Sequence, residues 1–281
     1  MVDAKGMLAA VFALQSSGAN PSAIEQLQGD DVHVWLASLP KIHDVALLDA
    51  YGALLSTEER QRQAQFRVCA DRHSYLVTHA LLRAALSRYT PIDPRAWRFV
   101  TNGYGRPEVA NTDPSVGRMN FSVSHARGLV AVAVTRAQAV GIDVEEARAC
   151  PAPMEVANRY FARKENLALG ALPEDRQSER FYEYWTLKEA YIKARGLGLS
   201  VPLDQFSFQF EGDQVVRLSV EPSLQDRPEI WKFWQFRPSA DHVLALCVHR
   251  RPPLKPRLIC RSCIPLVRDE LLEPIAARES A

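Results

Sequence analysis

The sequence predicts an α+β fold of two similar lobes, each a small, mostly antiparallel sheet packed on a long helix. The same order of strand, short helices, long helix and strands occurs twice along the 281 residues. Apolar residues alternate in the strand segments and recur at helical spacing in two long segments. The repetition lies in the order of elements, without sequence identity between the halves. It divides the chain into an N-terminal extension (1–30), an N-terminal lobe (31–136), a C-terminal lobe (139–250) and a C-terminal tail (251–281).

The first lobe opens with a strand and continues into helices. Residues 32–36 alternate with period two, which predicts a strand that stops near Pro40. Ser56 and Glu59 form the capping box of a short helix. A long amphipathic helix follows over 71–89. The lobe then ends in strands, which are predicted at 97–100, 120–124 and 129–135.

The second lobe repeats this order. A strand is predicted at 140–145, and short helices follow at 154–161 and 163–169. The long helix spans 179–195 and stops at Gly196, because glycine adopts the left-handed conformation that ends many helices. Four strands complete the lobe, at 206–210, 215–220, 230–236 and 242–249.

Composition is that of a globular protein with a substantial core. Hydrophobic residues make up 47% and charged residues 24%, and the net charge of +1 gives no indication of nucleic-acid binding. Five scattered cysteines favour a reducing, cytoplasmic setting, and the lone pair Cys260 and Cys263 favours incidental thiols over a metal or redox site. No apolar stretch is long enough to span a membrane, and the apolar segment 7–14 favours a short helix over a secretory signal.

Two carboxylates share one face of a strand. Asp143 and Glu145 lie two apart in Gly-Ile-Asp-Val-Glu, so their side chains project to the same side while Ile142 and Val144 point into the core. Adjacent carboxylates repel each other, and a hard cation such as magnesium removes that cost. The alternative is a solvated strand end.

The second long helix carries a polar stripe. Trp185, Glu189 and Lys193 are each four residues apart and share one helix face. A charged pair beside a tryptophan and apolar neighbours indicates a site, although Glu189 and Lys193 also fit an ordinary surface salt bridge.

Two shorter motifs contain candidate phosphate ligands. Ser124 and His125 end a strand, where the imidazole either caps the turn or donates to an anionic oxygen. Arg106 and Pro107 follow two glycines, where the guanidinium either forks onto phosphate or belongs to a plain loop.

Together the motifs GRP, NFSVSH, GIDVE, FARKE and WTLKEAYIKARGLGLS resemble the 4′-phosphopantetheinyl transferases of the larger two-lobed type, over about residues 30–250. The resemblance implies a pseudo-dimeric fold with the active site in the cleft between lobes. It also implies that Asp143, Glu145 and Glu189 ligate Mg²⁺ together with the pyrophosphate of coenzyme A.

The resemblance further implies a set of coenzyme A contacts. Family members often carry an arginine at the position of Ser74, so Arg67 or Arg72 becomes the candidate for the 3′-phosphate. The full set expected to bind the coenzyme is Arg67, Arg72, Arg106, Pro107, Ser124, His125, Lys188 and Lys193.

The implied reaction moves the 4′-phosphopantetheine arm of coenzyme A to a serine of an apo acyl or peptidyl carrier protein. Lys193 is expected to stabilise the leaving group, and Glu189 to accept the serine proton, with Glu145 as the second candidate. One chain completes the cleft, which predicts a monomer. The alternatives are a non-catalytic coenzyme A-binding protein and a Mg²⁺-dependent coenzyme A phosphohydrolase.

Carrier proteins of this kind are acidic, so a basic docking surface is expected beside the cleft. Two clusters are candidates, although each also fits a solvated helix face. They consist of Arg60, Arg62 and Arg67, and of Arg159, Arg163 and Lys164.

Overall fold

The computed structural model describes residues 24–147, 150, 152–253, 255–273 and 276–280, except for the side chain of Leu199. The apolar segment 7–14 lies outside the described residues. Of the predicted N-terminal extension, the described part begins at residue 24, and Leu27 is buried in the core of the first lobe.

The described residues form six α-helices and thirteen strands. The helices are α1 (Val45–Gly52), α2 (Thr57–Gln65), α3 (Cys69–Ser87), α4 (Pro153–Tyr160), α5 (Arg163–Gly170) and α6 (Glu174–Arg195). The strands are β1 (Asp31–Ser38), β2 (Phe99–Thr101), β3 (Pro107–Val109), β4 (Met119–Ala126), β5 (Leu129–Arg136), β6 (Val140–Glu146), β7 (Phe206–Glu211), β8 (Val215–Val220), β9 (Trp231–Ser239), β10 (His242–His249), β11 (Arg257–Ile264), β12 (Arg268–Leu272) and β13 (Arg278–Glu279).

The strands build two main sheets and a small hairpin. The first sheet has the order β12-β11-β1-β5-β4, and the second has the order β6-β10-β9-β13-β8-β7. Pairing is antiparallel except between β1 and β11 and between β8 and β13. The hairpin consists of β2 and β3. Both main sheets are therefore mostly antiparallel, as predicted.

The two sheets pack face to face, and each carries a long helix on its other side. Alternation along the strands explains this, since successive side chains point to opposite faces. In β5, Val132 packs towards α3, whereas Ala131 and Ala133 pack against the second sheet. In β10, Cys247 packs towards α6, and Leu246 joins the contact between sheets. The predicted two-lobed α+β fold is confirmed.

Local sequence signals account for some of the helix ends. The capping box is present, because Ser56 Oγ accepts from Glu59 N and Glu59 Oε2 accepts from Ser56 N. Helix α6 ends at Gly196, whose φ of 69° lies in the left-handed region. In the described part of the chain, no helix is long and apolar enough to cross a membrane.

The segment after residue 250, which the sequence indicates as a tail, contributes to both sheets. Strand β11 runs parallel to β1 inside the first sheet, with Val34 opposite Cys260. Strand β13 pairs with β9 and β8 in the second sheet. Cys260 and Cys263 point to opposite faces of β11 and belong to different core clusters. The five cysteines all lie in the described residues and are free there.

Candidate active site

The site lies where edge strands β4 and β6 of the two sheets meet. Serine hydroxyls bridge these edges in place of a regular strand ladder. Ser122 Oγ accepts from Ile142 N at 3.0 Å, and Ser124 Oγ accepts from Val144 N at 3.3 Å. Because residues two apart share a strand face, the Ser-x-Ser spacing aligns both hydroxyls with β6.

Gly141 allows β6 to lie directly on α6. A Cβ at this position would stand 1.9 Å from Ala190 O and 2.5 Å from Ala194 N. Both neighbours are main-chain atoms of α6, so they cannot move aside as a side chain would. The close approach brings Asp143, which shares a strand face with Gly141, against the helix.

Asp143 joins residues from three elements. The residue is 4% exposed, and its Oδ1 accepts from Ser124 Oγ at 2.9 Å and from Lys193 Nζ at 2.7 Å. Lys193 Nζ also donates to Ser124 Oγ and to Ile142 O, both at 3.1 Å. The second oxygen, Asp143 Oδ2, is buried and has no hydrogen-bond partner among the residues that the structure describes. The structure thus brings together Ser124, Asp143 and Lys193, hereafter the Asp143 cluster.

The charges of this cluster shift the pKa values of two further carboxyls, those of Glu145 and Glu189. Burial, together with the Asp143 and Glu189 charges, raises the pKa of Glu145 to about 7, against the opposing effects of Lys193 and the Trp185 side chain. Burial and the Asp143 charge also raise the pKa of Glu189, and Lys193 lowers it. Ionising all three carboxyls beside a single ammonium is therefore costly.

The chemistry of these groups suits a hard divalent cation. Carboxylate oxygens are preferred Mg²⁺ ligands, and the buried, unpartnered Asp143 Oδ2 together with two carboxyls of raised pKa marks a site short of positive charge. Across the residues described, however, no three His, Cys, Asp or Glu side chains form a group ready to hold a metal. Lys193 instead neutralises Asp143. Metal ligation by Asp143, Glu145 and Glu189 stays a prediction.

Lys188 lies away from this site, and the prediction that it binds coenzyme A is wrong. Its side chain is fully buried and forms an ion pair with Glu165 Oε2 at 2.7 Å. Lys188 Nζ also donates to Leu203 O and Phe206 O, both at 2.7 Å. The Lys188 side chain is 0% exposed and its three N–H groups are used inside the second lobe, so no phosphate can reach the ammonium. Burial lowers the pKa of Lys188 and raises that of Glu165.

Arg106 reaches from the first lobe to the end of α6. Its guanidinium donates to Ala194 O at 3.3 Å and to Phe121 O and Val140 O at 3.4 Å. Burial lowers the pKa of Arg106. A cation at the carboxyl end of a helix is favourable, which gives Arg106 a role between the lobes independent of any ligand. Its phosphate contact stays a prediction, as does that of the exposed Pro107.

The remaining predicted ligands are exposed. His125 follows Ser124 at the end of β4. Arg67 precedes α3, and Arg72 lies in its first turn with a guanidinium N–H donating to Cys69 Sγ at 3.0 Å. The contacts described do not connect either arginine to the Asp143 cluster. Their roles towards coenzyme A also stay predictions.

Three residues of the quoted motifs received no individual role from the sequence. Ser122 bridges the strands, and the two-residue spacing to Ser124 could have indicated it. Glu165 stands in the FARKE motif, where its carboxylate caps α5 by accepting from Ala162 N at 3.1 Å. Trp185, which shares a helix face with Glu189, lies close enough to Glu145 to lower the pKa of that carboxyl.

A separate cavity of about 760 Å³ lies between α4, α5 and the loop before β7. Its lining includes Met154, Phe161, Arg163 and Asp204 and contains no member of the Asp143 cluster. The candidate catalytic residues therefore lie outside this cavity.

Comparison with known proteins identifies the family. Residues 139–247 match the family model described as "4'-phosphopantetheinyl transferase superfamily", and residues 44–137 match "4'-phosphopantetheinyl transferase, N-terminal". The chain is 33% identical over 175 residues to 4'-phosphopantetheinyl transferase Sfp of Bacillus subtilis, covering 62% of this chain and 75% of the relative. The chain belongs to the 4′-phosphopantetheinyl transferase superfamily. Its resemblance to that family is confirmed.

Other members of the superfamily match over a similar length. A 4'-phosphopantetheinyl transferase of Bacillus subtilis is 32% identical over 199 residues, covering 71% of this chain and 84% of the relative. 4'-phosphopantetheinyl transferase HetI of a Nostoc species is 28% identical over 222 residues, covering 79% of this chain and 89% of the relative. The two family models meet between β5 and β6, and β11 to β13 follow the second matched range.

Proposed function

We propose that this phosphopantetheinyl transferase moves the 4′-phosphopantetheine arm of coenzyme A to a serine of an apo acyl or peptidyl carrier protein and releases adenosine 3′,5′-bisphosphate. The supporting observation is the Asp143 cluster with Glu145 and Glu189 beside it. A lysine held on a buried carboxylate, with two carboxyls of raised pKa nearby, suits phosphoryl chemistry in a member of this superfamily.

The chain's own residues would supply charge stabilisation and a base. Lys193 is held by Asp143 Oδ1 and Ile142 O, so its ammonium is positioned before substrate binds. It would face the negative charge that develops on the pyrophosphate. Glu189 is the proposed base for the carrier serine, with Glu145 as the second candidate, because a raised pKa makes a carboxylate a better proton acceptor near neutral pH.

Asp143, Glu145 and Glu189 would hold Mg²⁺ in this proposal. When bound, the ion would neutralise charge on the pyrophosphate. Asp143 Oδ2 is the buried oxygen that gains a partner. His125 would donate to a phosphate oxygen from the end of β4, and Ser124 would do so by turning its single O–H away from Asp143 Oδ1. Arg67 or Arg72 would bind the 3′-phosphate.

We expect Mg²⁺ to stabilise the protein more at about pH 8 than at about pH 5. A carboxyl with a raised pKa lowers the free energy of unfolding as pH rises from the unfolded value, 4.5 for Glu145, towards its folded value of about 7. The loss is on the order of 2 kcal/mol after allowance for solvent. A cation that binds the ionised carboxyls offsets this loss at about pH 8, where they are ionised, and has less effect at about pH 5, where they are protonated. Calorimetric melting temperatures with and without Mg²⁺ at both pH values measure the effect.

Glu145→Gln serves as the test variant for this effect. Its melting temperature without Mg²⁺ should fall less between the two pH values, and its response to Mg²⁺ should shrink. Glu146→Gln, the next residue of β6, is the matched control. An equal Mg²⁺ response in wild type at both pH values, or an unchanged response in Glu145→Gln, would contradict the proposed metal site.

Mass spectrometry of an apo carrier protein incubated with the chain, coenzyme A and Mg²⁺ tests the function directly. A mass gain equal to the arm supports transfer. Release of adenosine bisphosphate without that gain supports the phosphohydrolase instead. Binding of coenzyme A with neither product supports the non-catalytic alternative. A panel of fatty acid, polyketide and non-ribosomal peptide carriers would identify the substrate class.

We also propose that the transferase acts as a monomer in the cytoplasm and docks its carrier through a basic surface. Free cysteines support a reducing setting. Both candidate basic clusters are exposed and available for docking. They consist of Arg60, Arg62 and Arg67, and of Arg159, Arg163 and Lys164.

A further inference from the structure

We propose that the buried ion pair between Glu165 and Lys188 is a positioning element for the transfer reaction. It fixes the rotation of α6 about its own axis, so that Glu189 and Lys193 face β6. This inference rests on the proposed function. Neither member of the pair touches the Asp143 cluster, so each would act through α6.

The pair is completely buried and makes directional contacts to several elements. Glu165 accepts from Ala162 N at 3.1 Å, from Phe208 N at 2.8 Å and from Lys188 Nζ at 2.7 Å. Lys188 also donates to the carbonyls of the loop before β7 and of its first residue, Phe206. The start of α5, the middle of α6 and the start of β7 are therefore joined at one point.

The link to the site follows from helix geometry. Lys188 and Glu189 are consecutive in α6, so their side chains leave the helix about 100° apart. Lys193 lies four residues after Glu189 and therefore shares its face. Any rotation that keeps Lys188 on its three acceptors also keeps Glu189 and Lys193 facing β6.

Stability alone does not explain a charged pair at this place. The Lys188 ammonium lies 5.3 Å from the ring centroid of Phe161 and 4.3 Å from that of Phe206, in surroundings where apolar side chains would also pack. Replacing a buried ion pair by apolar residues of similar volume is often neutral or stabilising. What apolar contacts lack is direction, because they tolerate small rotations that a hydrogen-bonded ammonium resists.

The double variant Glu165→Leu with Lys188→Met separates positioning from stability. We expect it to fold with a melting temperature below that of wild type, because Ala162 N and Phe208 N lose their acceptor. Either single change should lower the melting temperature further, because it leaves one buried charge unpaired. Transfer to an apo acyl carrier protein should slow by about 10- to 100-fold in kcat, because small misplacements of reacting groups are costly. The KM for the carrier should not change. If this variant fails to fold, Glu165→Met with Lys188→Met takes its place.

The control is another ion pair, Glu59 and Arg83 of the first lobe, whose side chains lie 2.7 Å apart and are 15% and 2% exposed. Glu59→Leu with Arg83→Met should leave kcat per folded molecule unchanged. A folded Glu165/Lys188 double variant with wild-type kcat would overturn the inference. If wild type itself transfers nothing, the proposed function fails. The positioning role of the pair is then tested by the rise in melting temperature that Mg²⁺ induces. Loss of that rise in the double variant supports positioning, and its retention overturns it.

Discussion

Replacing Glu189 by glutamine is expected to slow arm transfer by about 10²–10³-fold while the protein keeps or gains thermal stability. Glutamine has nearly the same shape but carries no charge and accepts no proton. Burial and the Asp143 charge raise the pKa of Glu189, so the ionised carboxylate is held at a cost in the folded state. Removing that charge relieves the cost. A slow but stable variant is thus the expected signature of a functional carboxylate.

Single-turnover transfer to an apo carrier protein and calorimetric melting together measure this prediction. Glu174→Gln is the matched control, because it makes the same change in the exposed first turn of the same helix. It should leave the transfer rate unchanged. Near wild-type transfer by Glu189→Gln would show that Glu189 is neither base nor metal ligand, and Glu145 would then become the leading candidate.

Replacing Gly141 by alanine is expected to lower the free energy of unfolding by at least about 3 kcal/mol. The added Cβ would stand 1.9 Å from Ala190 O and 2.5 Å from Ala194 N, and both are helix backbone atoms. Strand β6 and helix α6 must therefore move apart. The contact between Asp143 and Lys193 spans this interface, so we expect the molecules that still fold to transfer the arm slowly.

Urea unfolding and the transfer rate per folded molecule measure the two parts of this result. Gly52→Ala is the control, because a Cβ at the end of α1 would meet no atom within 4 Å. That change should be neutral or stabilising, since alanine favours helix more than glycine does. If Gly141→Ala were as stable as Gly52→Ala, the close approach of β6 to α6 would not be the reason for this glycine.

The sequence by itself determined the elements and most of the candidate residues. Period-two alternation marked β1, a capping box marked the start of α2, and Gly196 marked the end of α6. These signals are local, since each depends on residues within one or two turns or on one strand. The same locality paired Asp143 with Glu145 on one face of β6 and placed Glu189 and Lys193 on one face of α6.

Only the tertiary structure decided how these pieces meet. Lys188 and Glu189 are neighbours in a motif of charged residues, yet Lys188 turns into the core to meet Glu165, and Glu189 lies near the Asp143 cluster. The sequence does not show that Lys188 and Glu189 have different surroundings, because the residues that each one meets come from distant segments. Strand β11 pairs in parallel with β1 for the same reason, since parallel strands need a long connection and leave no local turn signal. Local spacing fixes which side chains share a face, and long-range packing fixes what that face meets.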